Sequence, residues 1–242
     1  MKALVLCGGL GTRLGALTAD TPKPLLPIEG RPLLAYTLAW LARNGVRDVA
    51  INLHFLGDRI AAAEGDGASH GVRITYAREA RLLGTAGTVR ALAPFFGDED
   101  ALVVYGDLLL DEDLVAMRAH HRACGAAGTL MLHRRAGSNS IVAIDAATRI
   151  TAFLERPREG EGAVLAARGD TWVNSGVAIL SAALRARIPE RVPCDLPRDV
   201  YAPLVAEERL HGWALRGYRC AIDSPARYEE ARRAVREGRV RV

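Results

Sequence analysis

Lysine is almost missing from this sequence. The chain of 242 residues carries 32 Lys and Arg together, yet Lys2 and Lys23 are its only lysines. Positive charge that merely solubilises is supplied by arginine. A lysine held between Pro22 and Pro24 therefore points to a place that needs a compact ammonium rather than a planar guanidinium. The plain alternative is a leftover residue with no role. Aromatic residues are also scarce, at 5%. The four cysteines, Cys7, Cys124, Cys194 and Cys220, are scattered and make no C-x-x-C pair. That argues against a zinc site and a disulfide framework, and predicts a reduced, cytoplasmic protein. The six histidines show no ligand spacing, and the adjacent His120-His121 point two ways on a helix and read as solvated. No apolar run approaches the ~20 residues that span a bilayer, and the run over 3–6 is too short for a secretory h-region. The net charge of +4 is mild, and the basic residues form no blocks interleaved with aromatics. Neither nucleic acid nor a membrane is an expected partner.

Against these absences stands a half-hydrophobic chain that is long enough for a real core. Strand signals over 3–6, 46–53, 72–76, 101–105 and 129–132 alternate with helix signals. One helix opens at Pro32, carries Leu34, Leu38 and Leu41 on one face and closes at Asn44-Gly45. Others are predicted over 55–63, over 85–92 with Thr85 as N-cap, and from Asp111 or its neighbours to His121. This alternation predicts an α/β fold, a Rossmann-like three-layer sandwich with a mixed, mostly parallel central sheet. The second half is richer in strands. Segments 141–144 and 150–154 flank a turn and read as a hairpin. A strand is expected within 170–180, a short helix from Ser181, a helix over 197–208, antiparallel strands over 213–222, and a last helix from Pro225 to about Glu237. The expected organisation is one domain over 1–242, with halves 1–135 and 136–242.

The first strand runs straight into Leu6-Cys7-Gly8-Gly9-Leu10-Gly11-Thr12-Arg13-Leu14, followed by Pro22-Lys23-Pro24. Three glycines in four positions let the backbone turn sharply and expose N–H groups as an anion-binding concavity. Arg13 and Lys23 add two cations. Together they suggest a polyphosphate site, although the glycines by themselves would also serve a plain strand–helix turn. The loop is not a Walker A motif, because no Gly-Lys-Ser/Thr follows. It is a poor dinucleotide fingerprint as well. Leu14 occupies the third glycine position, and His54 stands where a ribose-binding carboxylate would end the second strand.

Gly8-Gly9-Leu10-Gly11-Thr12-Arg13-Leu14 with Pro22-Lys23-Pro24-Leu25-Leu26-Pro27 closely resembles the signature of the sugar-1-phosphate nucleotidylyltransferases. The resemblance continues in order through Leu83-Gly84-Thr85-Ala86-Gly87, Val104-Tyr105-Gly106-Asp107, Phe153-Leu154-Glu155-Arg156-Pro157 and Val173-Asn174-Ser175-Gly176. It implies transfer of a nucleoside monophosphate from a nucleoside triphosphate to a sugar 1-phosphate, with pyrophosphate leaving. It further implies Arg13 and Lys23 as catalytic cations, with nucleotide contacts from Leu6, Gly8, Gly9, Gly11, Thr12, Gly84, Thr85 and Gly87. Gly106, Glu155, Arg156 and Asn174 would meet the sugar phosphate, and Asp107 and Asp223 would hold Mg²⁺. The half over 1–135 would take the nucleotide and the half over 136–242 the sugar. The 83–87 loop most resembles that of guanylyltransferases for mannose or heptose 1-phosphate, and the short chain agrees with the compact heptose-type members. A homodimer stays open.

Several of these residues have a second reading. Asp107 would equally suit a helix N-cap, Glu155-Arg156 a surface ion pair, Asn174 a turn, and 83–87 an ordinary helix start. The family's Asp-Ile-Gly-Thr-Pro element is irregular here. Aligned on Pro225, Ala221 takes the aspartate's place and Asp223 follows two residues later, ~6–7 Å further along the same face of a strand. Asp223 therefore binds the metal from a displaced position, or caps the last helix, or marks a catalytically silent sugar-nucleotide-binding regulator.

Overall fold

The computed structural model describes every residue except 10, 136–137, 159–160, 163–164, 166–170, 208 and 242, and the side chains of Thr12, Arg13 and Ala16. Thirteen strands follow one another among the described residues. They are β1 (Lys2–Leu6), β2 (Pro27–Ile28), β3 (Arg31–Pro32), β4 (Asp48–Leu53), β5 (Arg73–Arg78), β6 (Ala101–Tyr105), β7 (Leu108–Asp111), β8 (Gly128–His133), β9 (Ser140–Ile144), β10 (Ile150–Glu155), β11 (Val173–Leu180), β12 (Leu210–Ala214) and β13 (Tyr218–Ala221). The helices used below are α1 (Leu33–Arg43), α2 (Gly57–Glu64), α3 (Thr85–Ala91), α4 (Ala93–Phe96), α5 (Leu114–Ala123) and the last helix, Pro225–Arg236. The central sheet has seven strands in the order β12-β8-β11-β6-β1-β4-β5. The pairs β1–β4, β4–β5 and β12–β8 are parallel, and β11–β8 is antiparallel. This is the mixed, mostly parallel α/β sheet that the alternating signals predict.

The chain forms two compact units. One comprises Met1–Leu82, Val103–Leu114 and Arg216–Val242; the other comprises Leu83–Leu102 and Val115–Leu215. In the first, Ala3, Leu4 and Val5 are wholly buried, as are Val49, Ala50 and Ile51 beside them. Parallel strands covered on both faces read as continuous apolar runs for this reason. A second cluster of buried side chains gathers Leu14, Leu26, Leu33, Tyr36, Leu109, Ile222 and Ala231. It pins the glycine-loop exit, the start of α1, β7 and the last helix to one core. The last helix starts as its sequence predicts. Pro225 occupies the first turn and the Ser224 side chain accepts a hydrogen bond from the Arg227 N–H.

The second unit contains the predicted hairpin, with β9 and β10 antiparallel around a turn in which Asp145 Oδ1 accepts from the N–H groups of Ala147 and Arg149. Ser181 caps the short helix Ala182–Arg185 by accepting from the Leu184 N–H. Residues 197–207 are helical, beginning with a wide π-type turn over Leu196–Tyr201.

Three local expectations are refined. Of the antiparallel strands expected over 213–222, β13 is antiparallel to β7, whereas β12 lies parallel to β8. The helix expected from Asp111 or its neighbours begins at Leu114, and Asp111 itself stays outside it. Asp111 ends β7, and its carboxylate takes two bonds from the Arg241 guanidinium and one from the Arg241 backbone N–H. Thr85 is the first residue of α3 rather than its cap. In each case a partner more than 70 residues away outweighs a local signal.

Candidate active site

In the first unit, the glycine loop is held by a residue that pattern reading passed over. Asn52 lies opposite Leu6 in the β1–β4 ladder and is 4% exposed. Its Oδ1 accepts from the Cys7 N–H at 2.8 Å, and its Nδ2 donates to Glu79 Oε1 at 3.0 Å. The same amide faces Gly8, where a Cβ would come within 2.7 Å of Nδ2. Gly8 is therefore required by a close approach between chains. Asn52 had a signal, a lone polar residue inside the apolar run Val49-Ala50-Ile51-Asn52-Leu53. The thiol of Cys7 is fully buried and near the Asp107 and Glu64 charges, and is pushed far above the usual thiol range. It is no nucleophile at neutral pH.

After the loop, Gly11 O accepts from the Leu14 N–H and from Thr18 Oγ1. The backbone of Thr12 and Arg13 enters a tight 3₁₀ segment over Thr12–Thr18. The side chains of these two predicted site residues lie outside the described residues. Lys23 opens the next turn after an extended Pro22. Its side chain is 10% exposed, and Nζ stands 3.3 Å from Asp107 Oδ2, across 84 residues of sequence. Gly106 carries Asp107 to this point, because its N–H donates to Leu6 O at the end of β1. So Leu6, Gly106, Asp107 and Lys23 converge as the resemblance implies.

Asp223 is decided by its neighbours. Ile222 is wholly buried, and its N–H donates to Asp107 O at 2.8 Å. The Asp223 N–H then donates to Ala221 O, closing a three-residue turn. The strand ends at Ala221, so the strand-face reading of a two-residue shift does not apply. Nor does Asp223 cap the last helix, a role taken by Ser224. Among the described residues, the half-buried Asp223 side chain has no partner in a hydrogen bond or ion pair. Asp107 and Asp223 thus leave adjoining chains with hard oxygen donors, the second without a partner among the described residues. That donor set suits a small divalent cation such as Mg²⁺.

In the second unit, Gly84 (φ 79°, ψ 162°) precedes α3 in a conformation essentially reserved for glycine. A Cβ there would also collide with the Cys194 backbone. The first-turn donors of α3 are already engaged. Ala86 and Gly87 N–H donate to Cys194 O, and Thr85 N–H points to Asp195 Oδ1 at 3.3 Å. The Thr85 hydroxyl accepts from the Leu196 N–H at 2.8 Å. The predicted nucleotide residues Gly84, Thr85 and Gly87 are thus built onto segment 194–196.

Glu155 ends β10 opposite Ser140, and Ser140 Oγ accepts from the Asn174 N–H. Ser140, absent from the predicted set, brings Glu155 and Asn174 together. Burial pushes the Glu155 carboxyl above its ordinary value, against the pull of Arg156 and Arg198. Arg156 is left-handed (φ 51°) and its side chain is 75% exposed, only 4.0 Å from Glu155. Asn174 Oδ1 accepts from the Gly176 N–H.

The chain is 31% identical over 222 residues to a mannose-1-phosphate guanylyltransferase of Mycobacterium tuberculosis, covering 90% of this chain and 60% of that protein. It is 44% identical over 117 residues to an N-acetylmuramate alpha-1-phosphate uridylyltransferase of Neisseria meningitidis, covering 48% of this chain and 51% of that protein. The chain spans about 55–61% of the length of the first curated relatives it matches. Its fold matches a crystal structure of a putative glucose-1-phosphate thymidylyltransferase from Bacillus anthracis in complex with a sucrose. That match has a TM-score of 0.84 and 19% identity, and covers 98% of this chain and 96% of that one. HddC from Yersinia pseudotuberculosis complexed with GMP-PN matches with a TM-score of 0.76 and 20% identity, covering 97% of this chain and 99% of that one. The family profile described as nucleotidyl transferase extends over residues 2–192, from β1 and its glycine loop through Asp107, Glu155 and Asn174, and the chain belongs to that family.

Proposed function

We propose that this protein transfers a nucleoside monophosphate from a nucleoside triphosphate to a sugar 1-phosphate. The observation that carries this reading is the part-buried Lys23–Asp107 pair next to a glycine loop tied down by Asn52. An oxygen of the sugar phosphate forms a bond to the α-phosphorus. The bond from that phosphorus to the oxygen bridging to the β-phosphate breaks, and its electron pair leaves with pyrophosphate. The attacking oxygen is already anionic, so neither a general base nor a covalent intermediate is needed. The protein positions the groups and stabilises charge.

Lys23 is the group that meets the charge growing on the α-phosphate. Its side chain is held at 10% exposure, where a fixed charge acts more strongly than in water. Gly8, Gly9 and Gly11 cradle the triphosphate with their backbone, assisted by Thr12, and Arg13 holds the departing pyrophosphate. Asp107 and Asp223 would hold Mg²⁺, which would supply neutralisation of phosphate charge. Gly84, Thr85 and Gly87 face the base. Gly106, Glu155, Arg156 and Asn174 bind the sugar phosphate.

The preferred pair is GTP with D-glycero-D-manno-heptose 1-phosphate or mannose 1-phosphate. The 83–87 loop and the relatives named mannose-1-phosphate guanylyltransferase support it. UTP is the second reading, supported by two relatives named as uridylyltransferases. Four free thiols suit a reducing compartment, and we place the reaction in the cytoplasm. The test is pyrophosphate release with Mg²⁺ across a matrix of triphosphates and sugar 1-phosphates. The expected maximum is GTP with a manno-configured sugar. Tight sugar-nucleotide binding with no turnover anywhere in the matrix would replace the enzyme with a binding regulator.

A further inference from the structure

The second unit also holds a cluster that the proposed transfer does not use. His120 is in the last turn of α5, Cys124 directly follows that helix with its N–H donating to His120 O, and His211 lies on β12, the edge strand of the sheet. One ligand atom from each lies within 4.8 Å of the others. We infer that His120, Cys124 and His211 form a binding site for a borderline transition-metal dication of the Zn²⁺ class, distinct from the hard-oxygen Mg²⁺ pair at Asp107 and Asp223.

Four observations support the site. The donor set is two imidazoles and one thiol, which favours zinc over magnesium. The i, i+4 spacing at the end of α5 puts His120 and Cys124 on one face, and Cys124 Sγ is 3.7 Å from His120 Nε2. The two rings are held converging by one hydroxyl, since Thr148 Oγ1 is 3.2 Å from both His120 Nε2 and His211 Nδ1. Thr148 keeps a left-handed backbone (φ 65°), unusual for a β-branched residue, and is anchored there. Its N–H donates to Asp145 O, and its carbonyl accepts from the Gly212 N–H. Finally, access is selective. Cys124 is half-buried, whereas Cys7, Cys194 and Cys220 are buried.

Three protein ligands leave room for a fourth, from water or solute. A bound ion would tie α5 to the edge strand and take over the bridging that Thr148 now performs. The neighbouring His121 is not part of the site. It is buried, with Nδ1 2.8 Å from Thr129 Oγ1 and Nε2 3.7 Å from Asp100. The pair His120-His121 thus points two ways as expected; His121 is buried rather than solvated, and His120 is half-buried. The signal that the sequence did carry was His120-x-x-x-Cys124; the third ligand is 87 residues further on.

The experiment uses the full chain, stripped of metal by a chelator and titrated with Co²⁺. One equivalent should bring the strong visible absorption of four-coordinate cobalt and a near-ultraviolet thiolate charge-transfer band, and Zn²⁺ should abolish both. Cys124→Ser should lose the charge-transfer band, and His211→Ala the strong visible absorption. Asp223→Asn should keep both signals. On the unmodified chain, Zn²⁺ should slow alkylation of Cys124 by about tenfold or more, read by mass spectrometry, because a metal-bound thiolate is withdrawn from attack. This arm holds even if a variant fails to fold. Weak six-coordinate cobalt absorption, a thiolate band that survives Cys124→Ser, or alkylation indifferent to Zn²⁺ would overturn the site.

Discussion

The two glycine-bearing loops of this protein behave in opposite ways. Around Gly8, in the first unit, polar groups are gathered but incompletely satisfied. Among the described residues, Lys23 is nearly withdrawn from water with one ionic partner, and Asp223 has none. Around Gly84, in the second unit, the first-turn N–H groups are closed off by Cys194 and Asp195, and the threonine hydroxyl by Leu196. Buried polar groups cost stability unless they are paired. A region that leaves them underpaired is prepared for a ligand that completes the pairing, and a region that pairs them all is built for rigidity. Both loops match a family motif, yet the first reads as chemistry and the second as a preformed wall.

Substitutions can break this contrast. The largest effect is expected at Lys23→Ala, which should lower kcat by about 10²–10³, as for loss of one charge-stabilising donor. Pyrophosphate release measures it, and a variant within twofold of the parent would remove Lys23 from the chemistry. Gly84→Ala should act on stability. The glycine-only backbone alone is worth about 1–3 kcal/mol, and the collision with Cys194 adds to it. Urea unfolding should show a lower midpoint, whereas Gly9→Ala, with nothing within 4 Å of the new Cβ, should leave the midpoint unchanged.

Asn52→Ala should cost about 1–3 kcal/mol by leaving the buried Cys7 N–H unpaired. It should also raise the KM for the triphosphate through a loosened loop. Asp223→Asn should preserve the unfolding midpoint while raising the Mg²⁺ concentration needed for half-maximal rate; an unchanged Mg²⁺ dependence would leave Asp107 as the sole carboxylate on the metal.

The smallest effect concerns a region outside both loops. Burial alone would push the Asp111 carboxyl up, but the hydrogen bonds and charge of Arg241, with Arg43 behind, hold it below the usual range. A carboxylate whose folded pKa lies below its unfolded value of about 3.9 stabilises the fold above that pH. The contribution is lost as pH falls through the folded value. Thermal unfolding of Arg241→Ala should therefore differ from the parent at neutral pH and converge with it in strong acid.

Local chemistry made much of this protein legible in its sequence. The apolar run into β1, the proline start of α1, the turn at Asp145, and the caps at Ser181 and Ser224 each depend on a few adjacent residues. The motifs of the glycine loop and Lys23 were readable for the same reason, since glycine and lysine act through backbone freedom and head-group shape. Tertiary structure alone decided which residues those motifs rest on. It brought Asn52 to the glycine loop, Asp107 to Lys23 and Cys194 to Gly84, and it freed Asp223 by giving the helix cap to Ser224. It gave β12 and β13 different partners and set His211 beside His120. These pairings join residues tens of positions apart, and their energy comes from burial and hydrogen bonds that exist only once the chain has folded.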